Sequence, residues 1–137
     1  MNRTLVICKP DAVERGLVGE IVSRFERKGL TLAAAQLMTI GPDLAAQHYA
    51  EHVGKGFYDE LVNFIGRSPS MVLVVEGPEN TWEMVRSMMG ATNPAASPPG
   101  TIRGDFGTEI AENLIHGSDS AESAAREVAI FFPGLAD

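Results

Sequence analysis

The sequence is short of cysteine, of positive charge and of long apolar segments. Its single cysteine, Cys8, excludes an intrachain disulfide. Because Cys8 lies in an apolar run, we expect a small core residue rather than a reactive thiol. The formal net charge of -7 argues against broad binding to nucleic acids or anionic membranes. It still allows a small basic pocket for a phosphorylated ligand.

The apolar run near the N-terminus, residues 5–8, ends at Lys9 and is too short for a signal-peptide core or a membrane span. We therefore expect a cytoplasmic protein with no membrane partner. The sequence also lacks the GxxxxGK[ST], GxGxxG, HRD, CxxC, HExxH and EF-hand motifs of common nucleotide, kinase and metal sites. It has no repeat, low-complexity tract or linker, and its 137 residues fit one domain.

Apolar residues make up 45% of the chain, enough for a sizeable core, and their spacing alternates between strand and helix signals. Strands are predicted at residues 4–8, 30–40 and 71–75 and before His116, and helices at residues 17–28, 42–49, 61–65, 80–90 and after 119. Capping-box spacing, Asn80 with Glu83 and Asp119 with Glu122, marks two helix starts. This alternation favours a parallel sheet, but periodicity does not exclude an antiparallel sheet with helices on one face.

Two histidines, His48 and His52, lie four residues apart on a predicted helix. That spacing places two possible metal ligands on one helix face. No third ligand lies nearby in the sequence, so a solvated helix face is favoured over a metal site.

His116 lies between an apolar strand and the last predicted helix. Gly117 removes side-chain bulk beside it, and the helix that begins near Ser120 offers N–H groups and the positive end of its dipole. A neutral imidazole is a good nucleophile, and attack on phosphorus requires one ring nitrogen free and the other held. Glu127 can reach back from the helix to hold it. By position alone, a hydrogen-bonded core histidine remains the favoured alternative.

Three cationic residues, Lys9, Arg86 and Arg103, lie at strand ends and loop edges, where they suit phosphate oxygens. Thr92 and Asn113 are short hydrogen-bonding side chains in the same part of the sequence. For any one of the cations, a solvated surface charge is the commoner outcome. No spacing rule shows that they converge.

Several long segments together resemble the nucleoside diphosphate kinase family. The most specific are "KPDAVERGLVGEI", "PGTIRGDF" and "NLIHGSDS", and "QHYAEH" and "MMGATNP" match as well, in family order over nearly the whole chain. The resemblance implies a single domain over residues 1–137. Its fold would be a ferredoxin-like α+β sandwich whose four-stranded sheet is antiparallel, with an extra helical hairpin near residues 42–67.

The resemblance implies an enzyme that moves the terminal phosphate of a nucleoside triphosphate, usually ATP, onto a histidine and then onto a nucleoside diphosphate of broad base type. Matched position by position, the resemblance makes His116 the phosphorylated nucleophile, supported by Glu127 and Ser118. The residues that would contact phosphates are Arg86, Thr92, Arg103 and Tyr49. The ribose would lie near Lys9, which is also near the transferred phosphate, and near Asn113, while the base would stack on Phe57 with Leu61 beside it. The Mg²⁺ cofactor would arrive on the nucleotide, so no protein metal ligands are expected.

The sequence departs from the family pattern in two places. Glycine, Gly56, replaces the usual proline before Phe57, which predicts a looser nucleotide clamp. The segment "RSPS", residues 67–70, replaces the usual "SGP", which leaves the local turn open.

Family members form dimer-based tetramers or hexamers, and we expect the loop at Pro98 and Pro99 and the tail 133–137 to influence which one forms. Two other readings stay open from the sequence. One is a nucleotide-binding regulatory module with a silent His116, and the other is a purely structural oligomer. Loss of the histidine or of two cations would favour the module, and neither loss is seen.

Overall fold

The computed structural model describes residues 2–135. The strands are β1 (Asn2–Cys8), β2 (Thr31–Met38), β3 (Ser70–Gly77) and β4 (Ile115–Gly117). The α-helices are α1 (Pro10–Glu14), α2 (Val18–Lys28), α3 (Pro42–His48), α4 (Tyr58–Ile65), α5 (Thr81–Met89), α6 (Ile102–Phe106) and α7 (Ala121–Phe131), with short 3₁₀ turns at Ala50–His52 and Pro94–Ala96. None of these helices is long and apolar enough to cross a membrane.

The predicted elements are largely confirmed, including a helical hairpin formed by α3 and α4. Two short helices, α1 and α6, lie in segments where the apolar pattern gives no helix. The tail expected to influence assembly ends at residues 136–137, which lie outside the described residues.

The four strands form one antiparallel sheet in the order β2-β3-β1-β4. The antiparallel sheet implied by the resemblance is confirmed, and the parallel sheet favoured by strand–helix alternation is wrong. Alternation misleads because β1 pairs with β3 and β4 rather than with the strand that follows it. The edge strand β4 places His116 opposite Ile7 of β1.

Helices cover both faces of the sheet, whereas the antiparallel alternative that periodicity left open had helices on one face only. Leu5 and Ile7 of β1 pack in one core cluster with residues of α3, α4 and α7. Val6 and Cys8 point to the opposite face and pack with residues of α2 and α5. Because both sides of β1 are buried, its sequence is a continuous apolar run rather than an alternating one. Cys8 is a core residue, as expected, and burial raises the pKa of its thiol to about 12.

Neither predicted capping box forms as expected. Asn80 precedes α5 in a left-handed conformation and makes no side-chain cap, although its carbonyl accepts hydrogen bonds from the first turn. At α7 the cap is Ser120 rather than Asp119, because Oγ of Ser120 accepts a hydrogen bond from N of Ser123 at 3.0 Å. The helix starts are therefore near their predicted places, while the capping residues differ.

The departure at residues 67–70 is a segment tied to its neighbours by charge. Arg67 forms ion pairs with Glu14 of α1 at 2.7 Å and with Glu112, just before Asn113, at 3.0 Å. Oγ of Ser68 also donates a hydrogen bond to Glu14. These exposed contacts fix the turn before β3 without using a residue of the predicted site.

Candidate active site

His116 lies in β4, directly before the link to α7. Ser118 joins that link to β1 twice, because its N donates to the carbonyl of Leu5 at 3.2 Å and its Oγ accepts from N of Leu5 at 3.3 Å. A Cβ at Gly117 would lie 2.5 Å from Sδ of Met89, so the missing side chain makes room for α5 to approach the strand. The predicted position of the histidine, between a buried strand and a helix start, is confirmed.

The backbone just before β4 is strained and held in place. Leu114 has a φ of 75°, and N of Ile115 donates to the carbonyl of Asn113 at 2.9 Å, which closes a classic γ-turn. N of Leu114 donates to Oδ2 of Asp11 at 3.0 Å, and its carbonyl accepts from N of Lys9 at 2.9 Å. Lys9, directly after β1, and Asp11 of α1 therefore fix the turn that places His116.

Glu127 of α7 holds both His116 and Ser118. Its Oε1 lies 2.8 Å from Nε2 of His116 and accepts a hydrogen bond of 2.8 Å from Oγ of Ser118. Burial acts to raise the pKa of Glu127. The hydrogen bond with His116 and the charge of that residue are the largest of the effects that lower it, and the resulting pKa lies below its ordinary value. An ionised carboxylate only accepts hydrogen bonds, so Nε2 carries a proton, and in the neutral form of the ring the lone pair lies on Nδ1.

His48 is buried against His116, so the predicted solvated face for this residue is wrong. The two ring centroids lie 4.7 Å apart and nearly perpendicular. Helix α3 packs on α7, which turns His48 inward toward Phe131. Burial, and then repulsion from His116, lower the pKa of His48 to about 3, so its ring is neutral. Its Nδ1 is buried with no hydrogen-bond partner among the described residues.

Two arginines bind backbone carbonyls on either side of His116. Nη1 of Arg86 donates to the carbonyl of Gly117 at 2.9 Å. Arg103 donates to the carbonyls of Asn113 and Ile115 from Nε and Nη2, at 3.1 Å and 2.5 Å. Burial, and then the charge of Arg86, lower the pKa of Arg103 to about 10, which leaves it charged at neutral pH. The two cations therefore converge beside the histidine.

Lys9, Asn113 and Thr92 form a hydrogen-bonded chain beside this strand. Nζ of Lys9 donates to Oδ1 of Asn113 at 2.9 Å, and Nδ2 of Asn113 donates to the carbonyl of Thr92 at 3.0 Å. Burial, and then the charge of Arg103, lower the pKa of Lys9 to about 8. The side chain of Thr92 is exposed. Three predicted site residues thus lie together although they are far apart in the sequence.

A cavity of about 190 Å³ opens beside His116, and Tyr49, Arg86 and Glu127 also line it. Four other predicted site residues do not line the cavity: Lys9, Thr92, Arg103 and Asn113. Hydrogen bonds to β4, to the turn before it or to one another connect these four residues to the strand that carries His116. A larger groove of about 930 Å³ lies elsewhere and contains none of the predicted site residues. The smaller cavity is therefore the candidate site.

A row of rings leads outward from this cavity. His48 lies 4.7 Å from Tyr49, Tyr49 lies 6.2 Å from His52, and His52 lies 5.2 Å from Phe57, between ring centroids. Phe57 is 47% exposed, and Leu61 follows it by one helical turn. Burial, and then the charge of Glu127, raise the pKa of Tyr49 to about 12, so its hydroxyl keeps its proton.

Two residues of this site were missed by the sequence prediction. Asp11 fixes the turn at Leu114, and His48 packs on His116. Both lie in segments that carry the family resemblance, Asp11 in "KPDAVERGLVGEI" and His48 in "QHYAEH". The resemblance was the available signal, since Asp11 has no telling local spacing and the four-residue spacing of His48 with His52 favoured a solvated face.

Comparison with known proteins agrees with this geometry. The family model for nucleoside diphosphate kinase matches residues 2–136. A nucleoside diphosphate kinase of Chloroflexus aurantiacus is 58% identical over 132 residues, which are 96% of this chain and 87% of that protein. A family protein from Babesia bovis superposes with a TM-score of 0.94 at 48% identity, covering 98% of this chain and 91% of that one. A halophilic member from Halobacterium salinarum, solved with CDP, gives 0.93 at 47% identity, covering 99% and 91%. The chain therefore belongs to the nucleoside diphosphate kinase family and is a nucleotide-binding phosphotransferase with nucleoside diphosphate kinase activity.

Proposed function

We propose that the enzyme transfers the terminal phosphate of a nucleoside triphosphate, usually ATP, to His116 and then to a different nucleoside diphosphate, in a ping-pong sequence. The observation that carries the proposal is the 2.8 Å contact between Nε2 of His116 and Oε1 of Glu127. It fixes the ring and leaves the Nδ1 lone pair for attack, as an activated nucleophile requires.

In the first half-reaction, Nδ1 of His116 attacks the γ-phosphorus. The N–P bond forms as the bond to the bridging oxygen breaks, and the nucleoside diphosphate leaves with that electron pair. The ring keeps its Nε2 proton, and the carboxylate of Glu127 offsets the positive charge that develops. In the second half-reaction, a terminal phosphate oxygen of another diphosphate attacks phosphorus, the N–P bond breaks, and the imidazole recovers its lone pair.

In-line phosphoryl transfer depends on positioning and charge neutralisation. Arg86 and Arg103 fit this need because backbone carbonyls fix both guanidinium groups beside His116. Each guanidinium has five N–H donors, and those not used by the carbonyls can bind phosphate oxygens. Lys9 adds a third positive charge, and Thr92 and Tyr49 add hydroxyl donors.

We propose that Mg²⁺ enters on the nucleotide phosphates, where it adds neutralising charge. The donor set supports this role. Within residues 2–135, one group of three possible ligands, His48, His116 and Glu127, has its donor atoms close together. Two of those donors are imidazole nitrogens, whereas Mg²⁺ prefers oxygen ligands and keeps several waters.

Phe57 and Leu61 would bind the base at the outer end of the ring row, while Lys9 and Asn113 would bind ribose hydroxyls. The exposure of Phe57 leaves base edges in water, which favours broad base specificity. Gly56, which stands where the family has proline, is also exposed, in keeping with a loose clamp. The CDP complex of the Halobacterium salinarum relative supports nucleotide binding by this chain.

We further propose that the enzyme maintains nucleoside triphosphate pools as a cytoplasmic homo-oligomer, a tetramer or a hexamer. Sedimentation equilibrium distinguishes four chains from six, and a monomer would contradict the oligomer. No nucleic-acid partner is expected from the acidic net charge of -7.

Initial-rate kinetics test the two-step transfer. With ATP and GDP varied, we expect parallel double-reciprocal lines, and His116→Ala should abolish turnover. Intersecting lines, or a His116→Ala variant that keeps near wild-type turnover, would contradict transfer through His116.

A further inference from the structure

His48, His116 and Glu127 form a compact group of possible metal ligands. One donor atom from each lies within 4.8 Å of the donor atoms of the other two. Nε2 of His116 and Oε1 of Glu127 are already 2.8 Å apart. In residues 2–135, no other group of three histidine, cysteine or acidic side chains meets this spacing.

Phosphoryl transfer as proposed assigns no task to His48. Its side chain is 6% exposed, and its Nδ1 makes no hydrogen bond within the described residues. A buried polar nitrogen without a partner is unfavourable and uncommon in folded proteins. The ring that carries this nitrogen packs on His116, so a side chain with an unused nitrogen lies beside two side chains of types that bind metals well elsewhere.

Two imidazoles and one carboxylate are the protein ligands of many zinc sites that keep a fourth position open. Imidazole suits Zn²⁺ and its transition-metal neighbours, whereas Mg²⁺ and Ca²⁺ prefer oxygen. Zinc bonds of about 2.0–2.2 Å require donors roughly 3.3–3.5 Å apart, so donors that lie within 4.8 Å of one another must close by up to about 1.5 Å. The cavity of about 190 Å³ that all three residues line gives an ion and its water a path of entry.

We propose that His48, His116 and Glu127 bind a divalent transition-metal ion of the Zn²⁺ class, and that the bound ion and phosphorylation of His116 exclude each other. A metal at Nδ1 takes the lone pair that attacks phosphorus. A metal at Nε2 displaces the proton to solvent, occupies Glu127 and withdraws electrons from the ring. The exclusion rests on the proposed function, whereas metal binding does not.

Zinc affinity of the nucleotide-free protein tests the binding site. A chromophoric chelator that competes for Zn²⁺ reports the affinity, and we expect one ion per wild-type chain. His48→Phe keeps an aromatic ring against Phe131 and removes the donor, so affinity should fall at least about 10-fold. His52→Ala, four residues further along the chain and outside the donor group, should keep wild-type zinc affinity. Equal affinity in wild type and His48→Phe would overturn the site.

Folding of the variants is checked by circular dichroism and cooperative thermal unfolding. If His48→Phe does not fold, Glu127→Gln gives the same test, because it replaces a charged ligand with a neutral amide of equal size. Retained zinc affinity in that variant would likewise overturn the site.

A second measurement separates this proposal from the proposed function. Phosphoenzyme is formed from ATP and freed of nucleotide, and its zinc affinity is compared with that of the unphosphorylated protein. We expect a loss of at least about 10-fold, and by linkage saturating Zn²⁺ should lower the equilibrium constant for phosphorylation of the wild-type protein by the same factor. Equal affinities would overturn the exclusion. Failure to form any phosphoenzyme would refute the proposed function and leave the zinc titration to be judged alone.

Discussion

Oε1 of Glu127 lies 2.8 Å from Nε2 of His116 and also accepts a 2.8 Å hydrogen bond from Ser118. One oxygen of a buried carboxylate thus fixes both the orientation and the tautomer of the ring. The hydroxyl of Ser118 keeps that oxygen in place and is itself bound to β1 through N of Leu5. The nucleophile is therefore positioned by a chain of contacts that runs from α7 to the centre of the sheet.

The first prediction concerns Glu127→Gln. The amide keeps the size of the side chain but loses the charge that supports the phosphorylated ring, so kcat should fall by about 10²-fold with nucleotide affinity almost unchanged. Single-turnover phosphorylation and equilibrium nucleotide binding measure the two effects separately. Loss of binding with unchanged phosphorylation would show that Glu127 has only a structural role.

The second prediction concerns the strained turn at Leu114. Asp11→Ala removes the acceptor of the Leu114 N–H and should lower the free energy of unfolding by about 1–3 kcal/mol. Asp11→Asn keeps an oxygen in the same place and should recover most of that loss. Urea denaturation measures both variants. Equal destabilisation by alanine and asparagine would show that the hydrogen bond to Leu114 is unimportant.

The third prediction concerns the pH dependence of the free enzyme. Because the pKa of Lys9 is lowered to about 8, its positive charge is lost as the pH rises through that value, and kcat/KM should decline on the alkaline side. Lys9→Arg keeps its charge, so this decline should flatten, whatever the absolute rate. Lys28→Arg, on the exposed surface of α2, is the control and should leave the profile unchanged.

The contribution of Lys9 to the free energy of unfolding should change with pH in the direction opposite to kcat/KM. Between the lowered pKa of about 8 and the ordinary value of 10.5, the unfolded chain binds more protons than the folded one at this residue. The contribution of Lys9 to the free energy of unfolding therefore rises with pH across that window.

An alkaline decline in kcat/KM that persists in Lys9→Arg would contradict the kinetic prediction and assign the titration to another group.

The fourth prediction concerns base specificity. Stacking on the exposed Phe57 is tolerant of base type, so kcat/KM for ADP, GDP, CDP and UDP should agree within about 10- to 100-fold. Phe57→Ala should lower all four values by a similar factor. A spread beyond about 10⁴-fold would require a buried base-reading contact and would contradict broad specificity.

The sequence predicts local structure well because local patterns determine it. The apolar run in β1 and Gly29 at the end of α2 both predict elements that form. Strand order depends on pairs distant in sequence, such as Asn2 with Gly77, and periodicity carries no information on them. The antiparallel sheet was therefore predictable from the family resemblance alone.

Some contacts of the candidate site were predictable from local spacing, and others were not. His116 and Glu127 lie eleven residues apart across one strand–helix junction, and their contact was foreseen from local spacing. The hydrogen bond between Lys9 and Asn113 spans 104 residues, so no spacing rule reaches it. His48 was assigned to a solvated face because the sequence does not show that α3 packs on α7.

Transfer through His116 is tested most directly by labelling the protein with γ-³²P-ATP in the absence of an acceptor. We expect label on the wild-type chain that is acid-labile and alkali-stable, as a phosphohistidine is, and that leaves on addition of GDP. His116→Ala should take up no label. Label that survives acid, that GDP does not remove, or that appears equally on His116→Ala would contradict a phosphohistidine intermediate at this residue.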